Sequence, residues 1–416
     1  MESAFLKFAA RHRALLAATP RSFTRSLAAE VNWNSKLIAI LGPRGVGKTT
    51  LLAQRLIQLA LPPSEALYLD LGDLLFQEYS LVDFAEWYKE RGGKYLFLDE
   101  VHRYPGENWA AAVKLLYDFH RANLSVVISG SSILQLLDAG ADLSRRIHYY
   151  HLPGLSFREY LVLKHGFNLE PLDFTDLLRA PQAAMEPYLK DGFTPLPYFE
   201  QYLKNGYYGF VLEDEYGYYD QVNQTIQLVL SQDIGSVGAL RTADANKLGR
   251  LLQAVASSVP FKPNISKIAQ RIGIDRNTLI EYLNLLERAN VIHQLRADGK
   301  GITPLSKPDK IYLDNPNLIY ALSPQRAEVG AIRETFFYNQ LSYLVRRKLA
   351  FPPEIRLPKK GDFIYRYQGE AYVFEIGGPN KTADQIGTGP GCFTVVDAAA
   401  TAAGHRIPLW LFGFFY

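Results

Sequence analysis

Apolar and polar positions follow two alternating patterns over residues 36–150, and each pattern predicts one kind of element. Short apolar runs predict buried parallel strands, and they occur as LIAIL, ALYLDL, KYLFLD, LSVVIS and RIHYYHL. Stretches with helical spacing separate these runs, as at Leu51, Leu52, Leu56 and Leu59. The alternation predicts an α/β fold with a three-layer parallel sheet, whose functional groups lie at the carboxyl ends of the strands.

The pattern changes after this region, and it predicts three further domains. Residues 166–235 are aromatic and mixed in charge, which predicts a helical extension of the α/β core at residues 1–165. Three helices and a hairpin follow within residues 236–305, and this order is typical of a winged helix. Residues 306–416 predict a second α/β domain, with a helix at 331–348 and strands around Asp362 and Glu375.

Composition limits the classes of protein that fit. The 416 residues are 48% hydrophobic and 21% charged, which is the balance of a soluble globular chain. The net charge is only +3, so any basic surface for nucleic acid is local. The lone Cys392 excludes an intramolecular disulfide framework and fits a reducing cytoplasm, which is the predicted location. No signal peptide and no apolar run of about 18 residues is present, so no membrane partner is expected.

The stretch GPRGVGKT at 42–49 carries the clearest chemistry. It matches the G-x-x-x-x-G-K-[ST] pattern between a strand and a helix, which is the context that a phosphate-binding loop requires. Glycines let backbone N–H groups turn toward a phosphate, and the helix N-terminus adds favourable partial charge. Lys48 is predicted to reach the β- and γ-phosphates, and Thr49 to ligate magnesium. The predicted ATP-binding residues are Gly42, Pro43, Arg44, Gly45, Val46, Gly47, Lys48, Thr49 and Thr50.

Two later strand ends supply partners for that loop. Asp99 ends the run YLFLD, where its carboxylate is expected to hold magnesium, and Glu100 is expected to polarise the attacking water. Ser129 follows the run SVVI and is expected beside the Asp99 strand, in a position to orient that water. A serine-rich turn without chemistry is the alternative for Ser129.

These residues resemble an AAA+ ATPase of the P-loop NTPase class. The segments LSRRIHYYHLPGLSFREYL, DKIYLDNPNLIYAL, FEIGGPNKTADQI and IPLWLFGFFY are similar to one prokaryotic subgroup, which carries a C-terminal domain of unknown function. The resemblance implies that Arg146 acts as an arginine finger on a neighbour's γ-phosphate, and Arg145 is the second candidate for this role. In that case hydrolysis requires a homo-oligomer. A pair of arginines that solvates a strand start is the alternative.

The predicted winged helix is a candidate DNA-binding module. Its third helix begins with Arg276, Asn277 and Thr278, which would lead into the major groove, and Lys267 and Arg271 would add phosphate contacts. Glu281 and Glu287 on the same helix and the low density of basic residues weigh against DNA. A protein-packing spacer is the equal alternative.

The C-terminal acids resemble the layout of PD-(D/E)xK nucleases. Glu334 near a helix start, Asp362 and Glu375 match its acids, and Asp362 and Glu375 form a second candidate magnesium site. Gly377 stands where that layout has lysine, and Lys381 reaches back only if the intervening turn is tight. A degenerate domain used for binding, an active nuclease and an unrelated α/β domain all remain open.

Two functions follow from this reading. The first is an ATPase whose hydrolysis, with ATP and magnesium bound, drives movement of the winged-helix and nuclease-like domains on DNA. The second is a nucleotide-gated interaction protein with little turnover and no chemistry on nucleic acid. The presence of Glu100 favours the first.

Overall fold

A computed structural model gives the fold, and the residues that it describes form two compact units. The N-terminal unit comprises Met1–Pro153 and the C-terminal unit comprises Gly154–Tyr416. The described residues are 1–105, 108–130, 143, 145–189, 192–234, 242–257, 260–299, 307–346, 355–387, 389–397 and 399–416.

The N-terminal unit alternates helices and strands, as the sequence pattern predicts. Its elements are α1 (Glu2–Ala18), α2 (Leu27–Glu30), β1 (Leu37–Leu41), α3 (Lys48–Leu59), β2 (Ala66–Asp70), α4 (Leu81–Glu90), β3 (Tyr95–Asp99), α5 (Trp109–His120), β4 (Ser125–Gly130) and β5 (His148–His151).

The five strands form one parallel sheet in the order β2-β3-β4-β1-β5, which confirms the predicted parallel α/β fold. Every residue of β1 is buried, because helices cover both faces of the sheet. Strand β4 lies between β1 and β3, with Ser129 opposite Ile40. The carboxyl ends of β1, β3 and β4 therefore meet at one edge, where the phosphate-loop motif follows β1.

The C-terminal unit begins with helices and ends with a second sheet. Its helices are α6 (Phe157–His165), α7 (Phe174–Arg179), α8 (Pro181–Met185), α9 (Pro195–Asn205), α10 (Tyr218–Leu228), α11 (Thr242–Ala256), α12 (Ile265–Ile272), α13 (Arg276–Arg288), α14 (Pro316–Leu322) and α15 (Val329–Arg346). Its strands are β6 (Ile292–Leu295), β7 (Lys310–Leu313), β8 (Ile355–Arg356), β9 (Phe363–Tyr367), β10 (Glu370–Gly377), β11 (Cys392–Val396) and β12 (Arg406–Pro408).

Helices α11, α12 and α13 and strand β6 lie where the winged-helix pattern predicts them. Asn264 caps α12 by accepting from the Lys267 N–H at 3.2 Å, and Gly273 ends it with φ of 77°. Strand β6 pairs antiparallel with β7. The tip of the predicted hairpin, residues 300–306, lies outside the described residues.

The last strands form a mixed sheet in the order β12-β11-β10-β9-β8. Strand β10 pairs antiparallel with β9 and parallel with β11. Phe374 on β10 and Phe337 on α15 are fully buried, with ring centroids 5.0 Å apart. This packing of a helix on a mixed sheet brings Glu334, Asp362 and Glu375 into the same unit.

The units divide after Pro153, earlier than the predicted boundary at 165. Helix α6 belongs to the C-terminal unit, where Ser156 and Glu159 form a capping box at its start. Arg158 Nε donates to the Tyr416 carbonyl oxygen at 2.9 Å, which ties α6 to the end of the second sheet domain. The predicted boundaries at 235 and 305 fall outside the described residues, and the finer division stays a prediction.

One buried histidine gives the N-terminal unit a pH-dependent stability. His12 of α1 is 2% exposed, and its Nδ1 accepts from the Tyr68 N–H at 3.1 Å. Burial, with the nearby charge of Arg13, lowers the pKa of His12 to about 4 from 6.5. Between pH 6.5 and about pH 4, His12 is therefore protonated in the unfolded chain but neutral in the folded chain.

We expect the free energy of unfolding to fall as pH drops from 6.5 to about 4, by an amount on the order of 3 kcal/mol from this residue. The His12→Gln protein, which has no titrating ring, should lose most of that dependence. Urea unfolding can be followed by tryptophan fluorescence, since Trp33, Trp87 and Trp109 lie in the N-terminal unit. The exposed His148→Gln variant is the control, and equal pH slopes in both variants would contradict the assignment.

Candidate functional site

The loop between β1 and α3 needs glycine at three positions for different reasons. A Cβ on Gly42 would lie 2.1 Å from the Leu152 carbonyl oxygen, so only glycine fits beside that strand end. Gly45 and Gly47 have φ of 81° and 93°, in the left-handed region that favours glycine. Pro43, Arg44 and Val46 complete the loop, and Lys48, Thr49 and Thr50 form the first turn of α3.

The Lys48 ammonium lies inside this loop. Its Nζ donates to the carbonyl oxygens of Gly42 at 3.0 Å and Pro43 at 2.8 Å, and the residue is 4% exposed. A buried ammonium must keep its hydrogen bonds or exchange them for stronger ones. Phosphate oxygens are such partners, so this arrangement fits a cation that is held ready at the loop.

The Asp99 carboxylate is the point where the strand ends meet. Asp99 is 1% exposed, and its Oδ2 accepts from the hydroxyls of Thr49 at 2.6 Å and Tyr68 at 2.8 Å. Its Oδ1 accepts from the Ser129 hydroxyl and from the Glu100 N–H at 3.0 Å. Four donors thus stabilise one buried negative charge. The structure brings Thr49, Asp99 and Ser129 together, as the sequence predicts.

Tyr68 is a member of this site that the sequence analysis missed. Burial, together with the adjacent Asp99 carboxylate, raises the pKa of the Tyr68 hydroxyl far above its usual value. The hydroxyl therefore stays protonated and remains a donor to Asp99. Its run, ALYLDL, predicts only a strand, because nothing in the pattern indicates which neighbour the hydroxyl contacts.

Glu100 has an unusual backbone and a carboxylate oxygen without a hydrogen bond. Its φ is 52°, a left-handed conformation that costs a non-glycine residue about 1–3 kcal/mol. Its buried Oε2 accepts no hydrogen bond from the described residues and lies 3.9 Å from an Arg44 nitrogen and 3.4 Å from His102 Nε2. A half-buried, strained acid of this kind fits a group that accepts a proton from water.

His102 and Arg25 are two further residues that the motifs do not reveal. The His102 side chain is 4% exposed beside Glu100, whereas the sequence indicates only a surface or core histidine. The guanidinium of Arg25 is buried and donates to the Val46 carbonyl oxygen at 2.7 Å and to that of Pro153 at 2.8 Å. Arg25 thereby fixes the outer side of the phosphate loop.

Arg146 is paired within its own chain, away from this site. Its Nε lies 2.7 Å from Asp118 Oδ1 and its NH2 lies 3.2 Å from Asp118 Oδ2. The pairing of Ile38 with His148 places Arg146 at the amino end of the sheet, opposite the phosphate loop. Arg146 therefore does not serve its own loop, and a role on a neighbour stays a prediction. Arg145 is exposed.

In the C-terminal unit, the turn after Gly377 is tight enough for Lys381 to reach back to Glu375. The Lys381 N–H donates to the Gly378 carbonyl oxygen at 3.0 Å, and the ammonium pairs with Glu375 Oε1. A Cβ on Gly377 would lie 2.6 Å from Lys381 Cγ, so the lysine stem occupies the space that a side chain there would fill. The ammonium thus reaches Glu375 from a later position in the chain.

A second lysine neutralises the remaining acids of this cluster. Lys310 Nζ lies 3.1 Å from Glu334 Oε2 and 3.6 Å from Asp362 Oδ1. The Asp362 carboxylate also accepts from the Ile376 N–H at 2.8 Å. Burial, and next the charge of Asp362, raises the pKa of Glu334. Within the described ranges, no group of three or more His, Cys, Asp or Glu residues could hold a metal ion.

Helix α13 presents fewer free side chains for DNA than its sequence indicates. Asp275 caps the helix, and the Thr278 hydroxyl donates to Asp275 Oδ2 instead of pointing to a partner. Glu287, one of the two acids that weigh against DNA, accepts from Gln294 at 3.0 Å. Arg276 and Asn277 are exposed. Among the described helices, none has the length and apolar content to cross a membrane.

Comparisons with known proteins match two parts of the chain. Residues 34–161 match the family model described as an AAA domain, and residues 196–328 match a domain of unknown function, DUF8612. The uncharacterized protein MJ1637 of Methanocaldococcus jannaschii is 26% identical over 379 residues, which are 85% of this chain and 78% of that protein.

Three solved structures were compared with the chain. DnaA from Aquifex aeolicus with AMPPCP bound is 17% identical, covering 63% of this chain and 84% of that one with a TM-score of 0.27. The RuvB Holliday junction branch migration motor of Thermotoga maritima is 15% identical, covering 72% and 91% with a TM-score of 0.27. The Hsp104–ADP complex of S. cerevisiae is 16% identical, covering 67% and 42% with a TM-score of 0.32. TM-scores this low establish neither a shared overall fold nor a shared function.

The AAA-domain match covers the same residues as the phosphate loop, Asp99, Glu100 and the parallel sheet. Together these findings support an α/β domain of the AAA P-loop ATPase type. The second match names no activity, so the winged helix and the nuclease-like domain stay predictions.

Proposed function

We propose that this protein binds ATP with magnesium at residues 42–50 and hydrolyses it, and that its nucleotide state moves the winged-helix and nuclease-like regions on DNA. The arrangement around Asp99 carries the proposal. A single buried carboxylate holds the hydroxyl of Thr49, the second residue of α3, one residue after the loop lysine. An ordinary glycine-rich turn needs no such carboxylate.

The loop residues fit a nucleoside triphosphate. Gly42, Gly45 and Gly47 leave the backbone free of side chains where phosphates approach, and Lys48 exchanges two carbonyl oxygens for phosphate oxygens. Thr49 and Asp99 together supply the oxygens that magnesium prefers. Thr49 and Asp99 would hold the magnesium, which would supply positive charge against the negative charge that develops during phosphoryl transfer.

In the hydrolytic step, Glu100 acts as the general base. Its half-buried carboxylate accepts a proton from water, and the buried Oε2 accepts no hydrogen bond from the described residues. Arg44 and His102 lie beside the carboxylate and position it. Ser129 acts by holding Asp99 in place, and its predicted part in orienting water is indirect.

A nucleotide-gated interaction protein with little turnover is the second candidate. The pairing of Arg146 with Asp118 favours it, because an arginine held in its own chain leaves a single copy without a finger at the γ-phosphate. In our proposal a homo-oligomer supplies Arg146 to its neighbour after this pair opens.

The Glu100→Gln protein should bind ATP normally and hydrolyse it at least about a hundredfold more slowly, because the amide keeps the shape but accepts no proton. ATP should therefore stay bound through gel filtration. Steady-state phosphate release, with and without DNA, measures the effect, and exposed Glu90→Gln is the matched control. Turnover at the parental rate in Glu100→Gln would reject its role as base.

The Arg146→Ala protein should bind ATP normally and lose turnover about a thousandfold if the arginine acts on a neighbour. Mixing it with Glu100→Gln should restore part of the activity, since each supplies what the other lacks. Asp118→Asn should raise turnover by freeing Arg146 from its partner. No restoration on mixing, with a monomer in ATP by sedimentation, would leave Arg146 a structural residue.

For the C-terminal acids we propose a binding domain with weak divalent-metal affinity and no appreciable cleavage of DNA. Lys310 and Lys381 already neutralise Glu334, Asp362 and Glu375, so a metal must compete with two ammoniums. Removing the lysine between two of the acids should therefore strengthen metal binding.

We expect Lys310→Met to bind Mn²⁺ at least about tenfold more tightly than the parent, as measured by calorimetry, and Lys310→Met/Asp362→Asn to lose the gain. Exposed Lys359→Met is the control. Linear, supercoiled and single-stranded DNA should remain intact with the parent protein. Metal-dependent cleavage that disappears in both Glu375→Ala and Lys381→Ala would overturn this and make the site an active nuclease.

A further inference from the structure

A basic cleft opens between α11 and α12 in the C-terminal unit. Its volume is about 650 Å³, and the end of α14 borders it through Leu322 and Ser323. Helix α11 contributes residues 250, 253 and 254, and residue 257 follows directly after its end; α12 contributes 267, 268, 271 and 272, and helical spacing places each set on one face. Arg276, Asn277 and Thr278 at the start of α13, which the sequence analysis assigned to DNA, are not among its lining residues.

Its charged side chains are all cations. Arg250, Lys267 and Arg271 line the cleft, and no acidic residue is among its lining residues. All three are exposed, and their side chains form no ion pair or hydrogen bond with the part of the chain that the structure describes. Like charges gathered around one concave surface repel one another, so a polyanionic ligand would stabilise them.

Asp244, Asp275 and Asp298 of the same unit have partners elsewhere and are not among the lining residues. Asp244 pairs with Lys247 and accepts from the Tyr282 hydroxyl, whereas Asp275 caps α13. Asp298 forms a two-point pair with Arg366 at 2.8 Å. The cleft thus presents a local positive surface on a chain whose net charge is only +3.

The uncharged residues of the lining fit a nucleic acid strand. Gln253 and Ser257 add hydrogen-bonding groups near the arginines, and Phe261 is a half-buried aromatic ring in the same wall. Cations follow the phosphates of a strand, while an aromatic ring contacts a base. Cations beside an aromatic ring are the combination that sites for single-stranded nucleic acid use.

We propose that this cleft binds the phosphodiester backbone of a nucleic acid, with Arg250, Lys267 and Arg271 as its phosphate contacts. The inference rests on the nucleic-acid part of the proposed function but not on ATP hydrolysis. It moves the principal contact from the start of α13 to the facing sides of α11 and α12. Arg250 of α11, which the sequence analysis did not assign to DNA, becomes a binding residue.

The test uses the full chain and fluorescence anisotropy with labelled single-stranded and duplex oligonucleotides across a range of salt concentrations. Arg250→Ala/Lys267→Ala/Arg271→Ala should weaken binding at least about tenfold and make the slope of log affinity against log salt shallower by about 2–3. The control Arg179→Ala/Lys359→Ala/Lys360→Ala removes the same charge from exposed positions elsewhere and should change little. Arg250→Lys/Arg271→Lys should retain most of the affinity.

Four outcomes would overturn the inference. Equal losses in both triple variants would show a general charge effect, and polyglutamate competing as well as oligonucleotide would indicate an acidic protein partner. Loss of binding in Arg276→Ala/Asn277→Ala with none in the cleft variant would return the contact to α13, leaving the DNA part of the proposed function intact. A parent protein that binds neither oligonucleotide would reject both this inference and the DNA part of the proposed function. None of these results would bear on the proposed ATP hydrolysis.

Discussion

The N-terminal unit depends on one buried carboxylate, Asp99. A charge that is 1% exposed costs several kcal/mol unless hydrogen bonds replace the lost water. Donors from the start of α3, from β2 and from β4 supply them, so the carboxylate can be accommodated only when three elements have reached their places. The same carboxylate that costs stability when unsatisfied thus fixes the geometry of the candidate ATP site.

In the C-terminal unit, lysines stabilise the buried carboxylates. Glu375 is 2% exposed and Glu334 is largely buried, yet both are paired with ammoniums that lie far from them in sequence or beyond a turn. Buried pairs of this kind hold one arrangement firmly, because the loss of either partner leaves an uncompensated charge. Lys310 and Lys381 offset most of the charge of Glu334, Asp362 and Glu375. Because a metal ion would compete with these two ammoniums, the presence of three acids does not by itself indicate a metal site.

Features with a local pattern could be predicted from the sequence, and features set by tertiary contacts could not. The phosphate loop, the parallel strands and the meeting of Thr49, Asp99 and Ser129 follow from motif and strand alternation. Tyr68, Arg25 and Lys310 were missed, because their roles depend on which neighbour a side chain reaches across the fold. The described residues divide after Pro153, whereas the predicted domain limit lies at 165. Helix α6 is tied to Tyr416, a contact between positions remote in sequence that no local pattern indicates.

The most direct test of the central claim is calorimetric titration of ATP with magnesium into the parent, Lys48→Ala and Lys36→Ala proteins. Lys36 is exposed at the other end of β1, so its loss removes the same charge without touching the loop. If Lys48 contacts the phosphates, the parent and Lys36→Ala should bind ATP alike and Lys48→Ala should bind at least about a hundredfold more weakly. Undiminished ATP affinity in a folded Lys48→Ala protein would contradict it.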